Sequence, residues 1–453
     1  MQDVYTKQQR IAQLAKEDPG RVLTTLAHHI DMEWLKEAFK RVRKDGATGV
    51  DNQTWQDYAQ NWEENLTGLL NRFKSGSYQA PPVRRVHIPK GEGAETRPIG
   101  IPTIEDKTLQ RAVVMLLEPV YEQQFKDWSF GFRRGRGAHQ ALEYLWKANQ
   151  ECNVRVILDV DIRAFFDSIP HGKLREVLCQ RVRDGVVIRV IGKWLNAGVM
   201  EAGEVSYAED GTPQGGVISP ILANIFLHEV LDEWFASTVK GWLKGRAFMV
   251  RYADDFVMGF EHEQDAQRVY KVLPKRLAKF GLSHHPEKTR LVSFARPVMN
   301  RTGTKQSTTE GEPKAEDPHG GNPGRFDFLG FTHYWGLSLK GRYVVKRKTS
   351  KKRLSRAIKR ISQWCREHRH RPVREQWVTL TSKLKGHYAF YGITSNWVSL
   401  TQFLQAVERQ WFKWLARRDR TRSLNWKRFG AMLRGPFRLP SPRIVHSIYA
   451  AKQ

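Results

Sequence analysis

Residues Ala247–Phe260 read AFMVRYADDFVMGF. Two apolar arms flank Ala253-Asp254-Asp255, the pattern of a β-hairpin whose tip carries two adjacent carboxylates. Paired Asp at a turn is often no more than turn chemistry. The meaning of this stretch therefore depends on what surrounds it.

Residues 157–167 read ILDVDIRAFFD, in which an apolar, β-branched run from Val154 closes on Asp161 and predicts a strand. A helical pattern follows over about Gly172–Val187. Asp159 shares a strand face with Asp161. Carboxylates gathered from a strand end and a hairpin tip repel one another unless a cation neutralises them, and hard oxygen ligands suit Mg²⁺. Two such ions are the usual device of phosphoryl transfer, which makes Asp161, Asp254 and Asp255 the predicted catalytic and metal-binding residues.

Further upstream, residues 81–102, PPVRRVHIPKGEGAETRPIGIP, give two short strand-like runs around a Gly-rich turn flanked by Lys90 and Arg97. Residues 296–324 lose all periodicity and gather Pro297, Pro313, Pro318 and Pro323, as a linker or surface insertion does. RFDFLGFTHYW, residues 325–335, resumes strand character. Beyond it, Leu354, Ile358, Ile361 and Trp364 recur at helical spacing, as do Trp377, Leu380, Leu384 and Tyr388, and then Phe403, Val407, Trp411 and Trp414. Three amphipathic helices with basic outer faces are predicted.

The chain of 453 residues carries a net charge of +28 and is 40% hydrophobic with 22 Phe and 15 Trp, a composition that folds and calls for a polyanion. The charge is segregated. Residues 336–453 hold 29 Lys and Arg against 4 Asp and Glu, whereas residues 1–335 hold 46 against 43. Interleaved with Trp364, Trp377, Trp397, Trp411, Trp414 and Trp426, so concentrated a charge favours nucleic acid over a mere solubility device. Cys152, Cys179 and Cys365 lie too far apart in sequence for a disulfide framework or a C-x-x-C zinc pair. The polar N-terminus and the absence of a long apolar run predict a soluble, cytoplasmic protein with no membrane partner.

The strand ending in Asp161 and the Tyr252-Ala253-Asp254-Asp255 hairpin resemble the palm of reverse transcriptases. Between them, GTPQGGVISPILANIFLHEVLD, residues 211–232, is similar to the family segment that supports template and incoming nucleotide, and the resemblance places Gln214 and Tyr252 beside that nucleotide. It implies that Phe166 lies against the sugar and excludes a 2′-hydroxyl, the alternative being a plain core residue. It also implies that Lys90 and Arg97 hang over the triphosphate, Arg97 being suited by its forked guanidinium. SFGFRRGRGAHQAL, residues 129–142, resembles a group II intron-type signature, with Arg133 and Arg136 available for template phosphates. KDGATGVDNQTW, residues 44–55, resembles the extra block that such enzymes place ahead of the fingers. DFLGFTHYW, LKGHYAFYGI, WKRF and RLPSPRIVH resemble the closing palm block and the thumb, or maturase, domain.

The resemblance covers nearly the whole chain and implies an α+β right-hand polymerase followed by an all-helical basic thumb. The expected division is an N-terminal extension (1–30), N-terminal block and fingers (31–150), palm (151–295), insertion (296–324), end of palm (325–335) and thumb (336–453). The implied activity is RNA-directed DNA synthesis with two Mg²⁺ ions, joined to splicing assistance and retrotransposition of a group II intron. The partners would be the intron RNA, an RNA template–DNA primer duplex, deoxynucleoside triphosphates and target DNA. Lys351, Lys352, Arg353, Arg417, Arg418, Lys427 and Arg428 are the expected nucleic-acid contacts of the thumb. No His-Asn-His endonuclease signature is present, so integration would use existing 3′ ends. Two alternatives remain: a domesticated enzyme of defence or DNA repair, and an RNA-binding splicing factor without polymerase activity.

Overall fold

The computed structural model describes residues 2–89, 96–201, 203–207, 211, 215–297, 324–418 and 424–447. Lys90, Gln214 and most of the expected insertion, residues 298–323, lie outside the described residues. The chain divides into two compact units, one of residues 1–144 and 158–291, the other of residues 145–157 and 292–453.

The first unit is built around the helix Ile104–Tyr121, which is buried on nearly every side and encloses Leu109, Ala112, Val113, Val114, Met115, Leu116 and Leu117 together with the polar Asp106, Thr108 and Gln110. Its apolar run from Ala112 to Leu117 has to be enclosed by neighbours. Helices Gln2–Glu17 and Met32–Lys40 pack on it. Gln8 Nε2 and Trp34 Nε1 donate to its Met115 and Ala112 carbonyls at 2.8 and 3.0 Å.

Strands β1 (Val83–Pro89) and β2 (Thr96–Ile101) form the expected antiparallel pair. Strand β3 (Val156–Asp161) ends on the predicted aspartate. A short hairpin of β4 (Val199–Glu201) and β5 (Glu204–Ser206) extends the first pair into a sheet of order β2-β1-β4-β5, with β4 running parallel to β1. Strands β6 (Ala247–Tyr252) and β7 (Asp255–Phe260) are the predicted hairpin, and with β8 (Arg290–Ser293) they make the order β6-β7-β3-β8.

The single helix expected over Gly172–Val187 is two, His171–Cys179 and Gly185–Leu195. Asp184 sets the break. Its Oδ1 accepts from Val186 and Val187 N as the cap of the second helix, while its Oδ2 accepts from Leu26 and Ala27 N. Val182 also pairs with Leu23 as a lone parallel bridge.

In the second unit, β9 (Arg325–Phe328), β10 (Phe331–Leu337) and β11 (Tyr343–Thr349) form an antiparallel sheet of order β11-β10-β9. The expected boundary at residue 335 therefore falls inside β10. The three predicted helices are Lys351–Glu367, Val373–Tyr391 and Trp397–Arg418, followed by a shorter one, Trp426–Arg434. Their apolar faces meet in one cluster containing Ile361, Leu380, Leu384, Tyr388, Phe403, Val407 and Trp411. Among the described residues no helix is long and apolar enough to cross a membrane.

His333 on β10 is fully buried and stacked on Phe326 at 4.9 Å, and neither ring nitrogen has a partner. Burial, with the Arg347 charge adding to it, pushes its pKa down to about 3. The unfolded imidazole takes up a proton near pH 6.5, so His333 adds stability above that pH and loses it as pH falls toward 3, by about 1.4 kcal/mol per unit. His387, stacked on Phe403 at 3.8 Å and pushed down to about 4 by burial, acts with the same sign. His333→Phe keeps the stack and removes the proton-binding group. Melting curves between pH 7 and about 4.5 should therefore flatten for this variant, with Tm near neutrality no lower than wild type; an unchanged slope would remove His333 from the account.

Candidate active site

The β6–β7 hairpin closes with Tyr252 paired to Asp255, leaving Ala253 and Asp254 as its two turn residues. Ala253 has φ +57°, whereas Asp254 has no positive φ, the sense of a type II′ turn, whose first position usually holds glycine. An alanine there stores strain of about 1 kcal/mol and persists only where its surroundings over-determine it.

Those surroundings begin with a charge in an apolar strand. Arg251 is completely buried and forked onto the equally buried Asp232, Nε to Oδ1 at 3.0 Å and Nη2 to Oδ2 at 2.6 Å. Its Nη1 donates to Asn224 Oδ1 at 3.0 Å and to the Ala253 carbonyl at 3.1 Å. Burial pushes the Asp232 carboxyl up, but the Arg251 charge and its hydrogen bonds, with His228 Nδ1 3.6 Å away, outweigh it and hold the pKa below the usual range.

The segment from Trp128 to Gly131 lies along the outer edge of β6. Arg251 N donates to Trp128 O at 2.8 Å and Phe130 N to Arg251 O at 2.9 Å. Asn224 Nδ2 donates to Gly131 O at 2.7 Å. Gly131 sits so close to the turn that a Cβ would stand 2.2 Å from Ala253 N. The signature stretch at residues 129–142 thus buttresses the hairpin tip from outside.

Asp254 is half-buried and Asp255 exposed. Burial raises the Asp254 pKa, the negative charge of Asp161 raises it further, and its own backbone N–H with the charges of Arg97 and Arg251 works the other way. The structure therefore brings Asp161, Asp254 and Arg97 into one electrostatic neighbourhood. Asp161 O accepts from His285 N at 2.8 Å, and Asp161 Oδ2 is paired with Lys288 Nζ at 2.7 Å. Asp159 pairs instead with Arg290 at 3.5 Å. Among the described residues no three His, Cys, Asp or Glu side chains converge closely enough to hold a metal ion.

Phe165 is the core residue of its pair, and Phe166, its ring 5.2 Å away, is only half-buried behind a turn with Ala164 at φ +43°. Tyr252 is half-buried at the end of β6, and Arg97 is exposed on β2. Downstream of Gln214, Gln110 Oε1 accepts from Val217 N and Ile218 N at 2.8 and 3.3 Å, fixing the start of the helix Ser219–Leu227.

Arg133 departs from expectation. It is buried, its Nε donates to both Glu122 oxygens, and its Nη1 donates to the Lys126 and Ser129 carbonyls. A guanidinium so engaged shapes its own loop and is not offered to phosphate. Arg136 is partly engaged, on Asp127 and over the Phe130 ring. In the second unit Lys351, Lys352, Arg353, Arg417, Lys427 and Arg428 are exposed, whereas Arg418 donates to the Arg369 and Arg371 carbonyls.

The tryptophans also divide. Trp411 is core, with Nε1 on Gln376 Oε1, and Trp364, Trp377 and Trp414 pack against that core. Only Trp397 and Trp426 are about half exposed, at 52% and 54%.

Sequence reading missed Arg251, Asp232, Asn224, Gly131 and Lys288. A lone Arg inside the apolar arm FMVRY was the available signal, because a charge in a buried strand requires a buried partner.

An α+β unit presenting acids at a strand end and a neighbouring hairpin tip, together with a unit of basic helices, is the architecture of a template-directed polymerase. A family model described as reverse transcriptase (RNA-dependent DNA polymerase) matches residues 88–333, more than half of the chain. The chain belongs to the reverse transcriptase family. It is 32% identical to Protein YkfC of Escherichia coli (strain K12) over 283 residues, 55% of this chain and 74% of that protein. It is 34% identical to the group II intron-encoded protein LtrA of Lactococcus lactis subsp. cremoris over 226 residues, 49% of this chain and 37% of that protein. A 91 kDa protein in the cob intron of Schizosaccharomyces pombe is 40% identical over 166 residues, 37% of this chain and 20% of that protein.

Gly131→Ala tests the buttress. The added methyl must displace Ala253, and a shift approaching 1 Å at a reacting group costs about 100-fold in rate. Primer extension on an RNA template should fall by that order with circular dichroism unchanged; wild-type extension would show that the tip is not held from this side.

Proposed function

We propose that this chain is an RNA-directed DNA polymerase that also binds the RNA of a group II intron and assists its splicing. The observation that carries the reading is Asp254, placed at a strained and buttressed hairpin tip within electrostatic reach of Asp161. Two carboxylates in that relation are unfavourable alone and gain by sharing a cation.

Asp161 and Asp254, with Asp255 in support, supply the hard oxygens that Mg²⁺ prefers; since no three of these side chains converge on one point, the phosphates of the bound substrate would complete the coordination of the two ions. When bound, such ions activate the primer 3′ oxygen and balance charge on the transferred phosphoryl group. Lys288, paired to Asp161 Oδ2 at 2.7 Å, orients that carboxylate. Arg97, exposed on β2 and acting on Asp254 from across the site, is positioned to take triphosphate oxygens, for which a forked guanidinium is suited. Lys90 and Gln214 are assigned to the incoming nucleotide by resemblance alone. Phe166, with its half-exposed ring, is assigned to the sugar of the incoming nucleotide, and Tyr252, half-buried at the end of β6, to the same nucleotide. The substrates are accordingly deoxynucleoside triphosphates and an RNA template–DNA primer duplex, with target DNA receiving the copy.

The exposed cations at Lys351, Lys352, Arg353, Arg417, Lys427 and Arg428 would neutralise phosphates of the intron RNA. Arg136 remains a weaker contact and Arg133 and Arg418 are withdrawn from that role.

Asp254→Ala should lower DNA synthesis by at least about 100-fold, with Tm unchanged or raised because a carboxylate repulsion is relieved. The same variant should still bind intron RNA and support splicing of a precursor at low Mg²⁺. Near wild-type primer extension by this variant would sink the site assignment, and lost splicing by a folded protein would sink the separation of the two functions.

Phe166→Val should open room for a 2′-hydroxyl. The ratio of ribonucleotide to deoxyribonucleotide incorporation should rise about 10- to 100-fold, measured in single-nucleotide extension. An unchanged ratio would return Phe166 to packing.

A further inference from the structure

Phe132 follows Gly131 in the loop that buttresses the hairpin tip, and two properties set it apart. Its backbone has φ +57°, an outlying conformation for a bulky residue, and its side chain is 55% exposed. Such a conformation persists only where the flanks are fixed. Here they are: Gly131 is wedged against Ala253 and bonded to Asn224, and Arg133 is tied to Glu122, Lys126 O and Ser129 O. The chain thus sustains strain at a residue whose apolar ring faces water, two costs that packing within the protein does not repay.

The position gives the ring a use. Gly131 Cα lies in contact with the turn, and one further residue adds about 3.8 Å, so Phe132 stands within about 8 Å of the Asp254 hairpin. Bases in a stacked strand are spaced about 3.4 Å apart, which puts the ring within two or three steps of a nucleotide reacting at Asp254. Arg134 beside it is exposed. An exposed aromatic face with a neighbouring cation is what an unsequenced single strand or duplex end recognises, by base stacking together with phosphate attraction.

We propose that Phe132 is a stacking platform for a nucleobase of the template–primer next to the reacting position, held in place by the same contacts that fix the hairpin tip. The inference rests on reading that tip as the polymerase site. It makes Phe132 a positioning residue for the nucleic acid, and it separates stability from function in a way a core phenylalanine would not.

The test uses the full chain and a dideoxy-terminated DNA primer annealed to an RNA template, so that binding is measured without extension. 2-Aminopurine is placed either at the first unpaired template position or at the primer terminus, and the arm whose fluorescence responds to Phe132 names the stacked base. Phe132→Ala and Phe132→Gly should each weaken binding about 5- to 150-fold and change the probe's quenching in one arm. Phe132→Trp should retain both. Phe132→Gly, which relieves the backbone strain, should melt no lower than wild type. Wild-type affinity and quenching in the Ala and Gly variants would overturn the proposal, as would a lowered Tm in both, which would make the ring part of the packing. If Asp254→Ala instead extends primers normally, the polymerase reading of the tip fails whatever Phe132 does; if that variant is inactive and Phe132→Ala binds normally, the stacking inference alone fails.

Discussion

Arg251 and Asp232 form a guanidinium–carboxylate pair with no exposure on either side, set directly beneath the hairpin tip. Taking two charges out of water is costly, and the attraction between them offsets that cost only when the remaining donors are satisfied. Three further bonds do this: Arg251 reaches Asn224 and the Ala253 carbonyl, and Asn224 reaches Gly131. An apolar pair of similar volume could fill the same space. It could not specify where the Ala253 carbonyl and the Gly131 carbonyl lie, and these determine where Asp254 points. Losing one partner would cost about 3–5 kcal/mol, a large share of the roughly 5–15 kcal/mol that holds a domain together. The hairpin's geometry is therefore as stable as the unit that contains it.

The charges above that pair are arranged differently. Asp161 and Asp254 are partly exposed, within reach of each other's field, and met by Lys288 and Arg97. None of these contacts is closed off from solvent, so each can be exchanged for a substrate phosphate or a cation at modest cost. The site thus combines a fixed, fully desolvated support with a loosely neutralised rim. A rigid rim would bind its own counter-charges too well to release them, and a loose support would let the tip wander.

Most of the fold was legible because it is periodic. The apolar arms of Ala247–Phe260, the run into Asp161 and the helical spacing from Leu354 to Trp414 each repeat a single rule over many residues. The misreadings share a cause as well. The helix expected over Gly172–Val187 breaks because Asp184 caps the next helix while bonding to Leu26 and Ala27, residues far away in sequence. Arg133 looked like a phosphate ligand because sequence displays a charge but not the Glu122 carboxylate and backbone carbonyls that consume its donors. Trp364, Trp377, Trp411 and Trp414, read at the helical spacing of apolar faces, are packing, and which of the interleaved tryptophans stay exposed, Trp397 and Trp426, depends on the neighbours each helix acquires. The paired acids at the hairpin tip stood out by their motif, and the residues that aim them did not.

The helical region of the second unit follows from the same division between fixed and available charge. With Ile361, Leu380, Leu384, Val407 and Trp411 committed to one cluster, the cations of Lys351–Glu367 have only the outer face to occupy. Residues 336–453 hold 4 acids against 29 basic side chains, too few to pair that face internally. Like charges so concentrated repel one another, and a compact unit bearing them gains most from a partner that supplies many phosphates at once. A single bound nucleotide supplies too few. An extended or folded nucleic acid, whose backbone releases counterions as each contact forms, supplies enough. The polymerase unit needs precision at two carboxylates and the helical unit needs area, which is why one sets a buried ion pair beneath its hairpin tip and the other keeps its charges outside an apolar core.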